Sequence, residues 1–132
     1  MTDSSRPLSP HLQIYRWQIT MALSILHRAS GVFLTMGAVV LVVWLMAAEH
    51  GPDRYAAIQA ILNTLFGKLL LLAWSGALFI HLCNGVRHLF WDAGLGFEKA
   101  TSRKTGWLVV VAAIVMTAVT WLVGTGVLGA GS

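Results

Sequence analysis

Charge is what this 132-residue sequence has least of. Lys, Arg, Asp and Glu together make up 11%, where soluble globular proteins carry about 25%. So few charges cannot coat a surface that faces water. A single cysteine, Cys83, excludes a disulfide scaffold, and also a zinc or iron–sulfur centre built from this chain's own thiolates. Disorder is excluded as well, because 57% of the residues are hydrophobic and disorder needs the opposite balance. The first twenty residues lack the apolar stretch of a signal peptide and carry Asp3, Arg6, Arg16, Pro7 and Pro10, so none is expected. The net charge of +4 does not point to nucleic acid, since no basic stripe with interleaved aromatics accompanies it. What is present is six tryptophans and a mean hydropathy of +0.73. This is the composition of a small integral membrane protein.

The charges that exist divide the chain. Residues 29–48 carry none, nor do 69–86, nor any residue after Lys104. A hydrocarbon core about 30 Å thick takes roughly 20 helical residues, so an all-α fold with three transmembrane helices is expected, at about 19–48, 65–91 and 105–128, in one domain covering 1–132. Thr20 or Ser24 is available to cap the first helix or to sit in its first turns. Gly94 and Gly96 end the second, and the Gly-rich tail ends the third. Pro52 marks a turn in the first loop, where the Tyr55 to Leu62 stretch suits a short interfacial helix. Arg6, Arg16, Arg28, Arg87, Lys99, Arg103 and Lys104 share one side of the membrane, against Arg54 and Lys68 on the other. By the positive-inside rule the N-terminal segment is cytoplasmic, or faces a mitochondrial matrix.

Ionisable groups within a span cost roughly 2.5–3.5 kcal/mol each when charged at the centre, and so require a reason. The second span holds His81, Asn84, Arg87, His88 and Asp92. At about 100° per residue, His81, Gly85, His88 and Asp92 share a face, and Trp74 and Leu78 extend it deeper. Gly85, one turn from His81, leaves room for a flat group to approach. Neutral imidazole in such a setting suits an axial ligand of haem iron. An interhelical hydrogen bond and a proton relay remain open as alternatives. In the first span Ser24, His27, Arg28 and Gly31 form a second polar cluster, at the depth of Arg87, His88 and Asp92. Together they suit haem propionates or a quinone carbonyl. The plainer role for Arg28 and Arg87 is to snorkel toward lipid headgroups. Cys83 points away from this face. Trp17, Trp44, Trp91 and Trp107 read as interface anchors. The pairs Ala113/Thr117 and Thr120/Gly124 read as helix-packing spacings. His11 and His50 have no evident partner.

The run Arg6-Pro-Leu-Ser-Pro-His-Leu-Gln-Ile-Tyr-Arg16, the run Ser24-Ile-Leu-His-Arg-Ala-Ser-Gly31, and His81-x-x-x-Gly-x-Arg-His88-Leu-x-Trp-Asp92 resemble the cytochrome b subunits of succinate dehydrogenase, the larger membrane anchors of succinate:quinone oxidoreductase. The resemblance covers nearly the whole chain, although the third span adds little and the Gly-rich tail has no counterpart in it. It implies that His81 is one axial ligand of haem b, with the other supplied by a smaller anchor subunit. It implies that Ser24 and Arg28 belong to the ubiquinone site, and that His27, Arg28 and His88 lie near the haem propionates. Asp92 matches a polar position near the quinone pocket. An iron–sulfur subunit and a flavoprotein subunit are the expected soluble partners. Ubiquinone is the expected substrate and a bacterial or mitochondrial inner membrane the expected location. No succinate chemistry is expected of this chain itself.

Overall fold

The computed structural model describes residues 17–129, and side chains up to residue 126. The whole N-terminal run Arg6–Arg16, with His11, and the last residues of the Gly-rich tail lie outside the described residues.

Four helices follow one another: α1 (Ile19–Glu49), α2 (Pro52–Leu62), α3 (Leu65–Asp92) and α4 (Lys99–Gly129). Among the described residues there is no strand. Three of the helices, α1, α3 and α4, are long and apolar enough to cross a membrane. A continuous helix satisfies its own backbone polar groups, which is why apolar runs of this length take that form in lipid.

The boundaries have local causes. Gln18 precedes α1 without a side-chain cap, so Thr20 and Ser24 both lie within the first turns and neither caps the helix. Gly51, at φ +109°, reverses the chain in a conformation that favours glycine. Pro52 then occupies the first turn of α2, where its missing N–H costs nothing. Thr64 caps α3: its hydroxyl accepts from the Gly67 N–H at 3.1 Å. Gly67 is obligatory at this corner, since a Cβ there would stand 2.5 Å from the Ile61 carbonyl oxygen. Gly94 and Gly96, at φ +81° and +82°, break the chain after α3. α4 begins at Lys99, upstream of the apolar run that starts at Thr105. Hydropathy marks where a helix enters hydrocarbon, not where helical backbone begins, and the polar first turns of α4 lie beyond that border.

α3 is the central helix, packed on α1 along one side and α4 along the other. The protein core is thin: Leu23, Ala47, Val109 and Ala113 are its buried apolar side chains among the described residues. Close approach is made by small residues, as expected where no hydrophobic effect drives helices together. A Cβ on Gly106 of α4 would meet Leu23 of α1 at 3.3 Å, and one on Gly37 would meet the Trp74 indole at 2.9 Å. Polar cross-links add direction. The Trp74 indole donates to the Phe33 carbonyl at 3.3 Å, Trp121 donates to Ser75 at 2.8 Å, and Asn84 donates to the Leu23 carbonyl at 3.3 Å. Ala113 is buried on the α3 side of α4, whereas Thr120 is exposed and a Cβ on Gly124 would meet nothing. Of the two small-residue pairs, only the first therefore serves packing within the chain. The outer faces are apolar and exposed, as at Val39, Leu41, Val42, Ile114 and Leu122.

Candidate functional site

Three imidazoles from two helices meet between α1 and α3. The His27 and His81 rings stack with centroids 4.0 Å apart and an 8° interplanar angle. The His88 ring stands 5.3 Å from that of His27 and is capped edge-on by Trp91 at 5.1 Å. His81 and His88 are two turns apart on α3, and His27 of α1 fills the space between them. Counted from Ile19 on α1 or from Asp92 on α3, the His27–His81 pair is about 12–17 Å along the helix.

His81 has a defined hydrogen-bond environment. Its Nδ1 lies 3.1 Å from the His27 carbonyl oxygen and 3.0 Å from the Ser30 hydroxyl, and the Ser30 hydroxyl donates to that same carbonyl at 2.9 Å. A carbonyl oxygen only accepts. Nδ1 therefore carries the proton, and the lone pair of the neutral ring sits on Nε2, which has no hydrogen bond among the described residues. Gly31 makes the position of the ring possible, since a Cβ there would stand 3.2 Å from His81 Cε1. Gly85 is looser: a Cβ there would meet only the His27 ring, at an ordinary 3.7 Å. The tight glycine is on α1, opposite the histidine, rather than one turn along its own helix. The His27 Nδ1 is buried and has no hydrogen-bond partner among the described residues.

Ser24 and Arg28 lie one turn apart on α1, and the Arg28 guanidinium donates to the Ser24 hydroxyl at 3.4 Å. Arg28 is exposed and Ser24 half-buried. Asp92 is the last residue of α3, exposed and without a hydrogen bond among the described residues. A carboxylate at a helix C-terminus meets the negative end of the helix dipole, so helix stability does not account for its place.

Arg87 does not join this cluster. It turns to the other side of α3 and is 5% exposed. Its guanidinium donates to Asn84 Oδ1 at 3.2 Å, to Thr105 Oγ1 at 3.2 Å, and to the Ser102 carbonyl and hydroxyl at 3.0 and 3.1 Å. It also lies over the Trp91 ring at 4.1 Å. This is a clamp between α3 and α4, neither a snorkelling cation nor part of an anion pocket. Trp91 is accordingly more than an interface anchor: it stacks on Arg87 and Phe97 and donates to the Gly96 carbonyl. Cys83 faces α4, where its thiol lies 3.9 Å from the Met116 sulfur. An open apolar groove of about 580 Å³ runs between α3 and α4, lined by Leu82, Val86, Phe90, Leu108 and Met116, and the histidines do not line it. At the far end of α1, His50 bonds the Met46 carbonyl at 2.6 Å and lies 3.2 Å from Glu49, so it has partners after all.

Comparison with known proteins agrees with this layout. Residues 2–120 match the model of the succinate dehydrogenase/fumarate reductase transmembrane subunit. The chain belongs to that family. Among its relatives, the succinate dehydrogenase cytochrome b556 subunit of Rickettsia felis is 44% identical over 119 residues, covering 90% of this chain and 93% of the relative. The cytochrome b556 subunit of Paracoccus denitrificans is 36% identical over 90% of this chain and 92% of its own length. The mitochondrial cytochrome b560 subunit of Mus musculus is 36% identical over 86% of this chain and 68% of its own length.

The residues of this transmembrane subunit are chemically suited to haem. Among the described residues no three His, Cys, Asp or Glu side chains converge to hold a metal ion by themselves. A haem iron asks less of one chain, a single nitrogen lone pair, and His81 Nε2 offers that. Ser30 was not visible in the sequence as part of this site. Serine one turn after a histidine is common in membrane helices, and only the tertiary contact across to α3 gives it meaning.

Proposed function

We propose that this subunit is the larger membrane anchor, a cytochrome b, of a succinate:ubiquinone oxidoreductase in a bacterial or mitochondrial inner membrane. In this reading His81 Nε2 would ligate haem b, and a second, smaller anchor subunit would contribute the other histidine. Bound there, haem supplies a one-electron store within the membrane. His27, Arg28 and His88 hold its propionates or stand beside them, and Gly85 leaves space on the α3 face. The observation that carries the reading is the pair of contacts that His81 Nδ1 makes with the His27 carbonyl and the Ser30 hydroxyl, while Nε2 has no hydrogen-bond partner among the described residues.

Ser24 and Arg28 form this chain's share of the quinone pocket. Ser24 hydrogen-bonds a quinone carbonyl, and Arg28 stabilises the negative charge that develops on that oxygen as electrons arrive from the iron–sulfur subunit. Asp92, near the same membrane border, is placed to pass protons from the aqueous side. The succinate chemistry belongs to the flavoprotein partner, and this chain anchors both soluble subunits to the membrane.

The row of three imidazoles favours a second reading, a proton relay without haem. A reduced-minus-oxidised absorbance spectrum of the purified complex separates the two. Sharp low-spin haem bands at one haem per copy of this chain support the cytochrome. A complex active with succinate but free of such bands supports the relay, or a plain anchor.

A further inference from the structure

We propose that Ser30 is a positioning residue for the haem ligand, setting the orientation and the electron-donating strength of His81. The inference rests on the haem reading above and extends it to a side chain that acts on the haem through the ligand His81.

The geometry is specific. Ser30 is 7% exposed, and its hydroxyl closes a triangle with His81 Nδ1 at 3.0 Å and the His27 carbonyl at 2.9 Å. The carbonyl also lies 3.1 Å from Nδ1. With its own proton committed to the carbonyl, the Ser30 oxygen faces the Nδ1 proton with a lone pair. Nδ1–H is thus shared between two acceptors on α1, which fixes the tautomer and the ring plane together. Gly31, the next residue, bounds the ring from the α1 side at His81 Cε1. Ser30 and Gly31 therefore work as a pair, one holding the ring and the other making room for it.

Hydrogen bonds of this kind make a ligating imidazole a stronger donor. A stronger donor favours ferric over ferrous iron. Loss of the hydroxyl weakens the donor and favours the ferrous state. A serine bonded back to its own helix is also an ordinary structural feature, but that role alone would leave the haem potential where it is.

The test is a redox titration of the haem in the whole complex, carrying wild-type chain, Ser30→Ala, Ser30→Cys or Ser30→Thr. Ser30→Ala is expected to keep a low-spin haem while shifting the ferric/ferrous balance about tenfold toward ferrous, a rise of about 59 mV for one electron. Ser30→Thr, which retains the hydroxyl, restores the wild-type potential. A haem-loaded Ser30→Ala complex with an unchanged potential overturns the proposal. Should Ser30→Ala lose the haem, Ser30→Cys decides, because a thiol hydrogen-bonds only weakly: a raised potential upholds the role and a wild-type potential overturns it. His81→Ala is run alongside. If it keeps the low-spin spectrum, or if the wild-type complex holds no haem, the ligand assignment falls and takes this inference with it. If His81→Ala loses that spectrum while the Ser30 variants titrate like wild type, the positioning role alone falls.

Discussion

Ser24 and Arg28 meet across one helical turn, and they give the quinone assignment its sharpest residue-level test. Ser24→Ala and Arg28→Leu should each lower quinone reduction by roughly 100- to 1,000-fold per assembled complex, the scale of losing one preorganised donor. Succinate oxidation by a dye that accepts electrons upstream should be spared. Equal losses with dye and quinone would remove both residues from the quinone site. His88 supplies a second test. Its ring reaches His27 and Trp91 and lies nearer the end of α3 than His81, so His88→Ala should retain the haem spectrum. If His88→Ala abolishes the low-spin bands, ligand and neighbour have been exchanged. At this scale the sequence made the histidine face legible, because a period of about 100° per residue is enough to align His81, Gly85 and His88. It did not reveal Ser30, the tight role of Gly31, or the direction of Arg87. Those depend on which helix packs on each side of α3, and hydropathy is silent on that.

Between elements, the junction of α3 and α4 rests on a buried arginine rather than on apolar packing alone. Arg87 bonds Asn84, Ser102 and Thr105 and stacks on Trp91, while Asn84 ties α3 to α1 through the Leu23 carbonyl. Arg87→Leu removes the donors and strands the buried Asn84 Oδ1, at about 1–3 kcal/mol, while the half-exposed Ser102 and Thr105 lose their link to α3. A lowered Tm of the complex in detergent, and faster proteolysis before α4, are the expected readouts. A wild-type Tm would show that water or lipid replaces the guanidinium without cost. The haem bands should persist in the surviving complex, because Arg87 faces away from the imidazole stack. Gly31→Val probes the other junction. Its branched side chain would run into His81, so haem loading should fall while α4 stays docked, and unaltered haem content would mean that the ring can move aside. Helix existence was the most legible feature of this fold. The start of α4 at Lys99 was not, since the polar turns that meet Arg87 carry no apolar signal.

For the whole molecule, the three spans and their family membership agree, and the exposed apolar faces are where a membrane and further helices belong. In the proposed reading the imidazole stack supplies one part of a shared haem site, the His81 Nε2 lone pair, and a partner subunit supplies the other ligand. The isolated chain is therefore expected to aggregate or to remain haem-free when made without its partners; a monodisperse, haem-loaded monomer would contradict the shared-site account. The central claim, that His81 of this chain is an axial ligand, is tested most directly by the reduced-minus-oxidised spectrum of the purified complex bearing His81→Ala beside the wild type. The account predicts that the bis-imidazole low-spin signature disappears while the soluble subunits still oxidise succinate with a dye. An unchanged low-spin spectrum in the variant would contradict it.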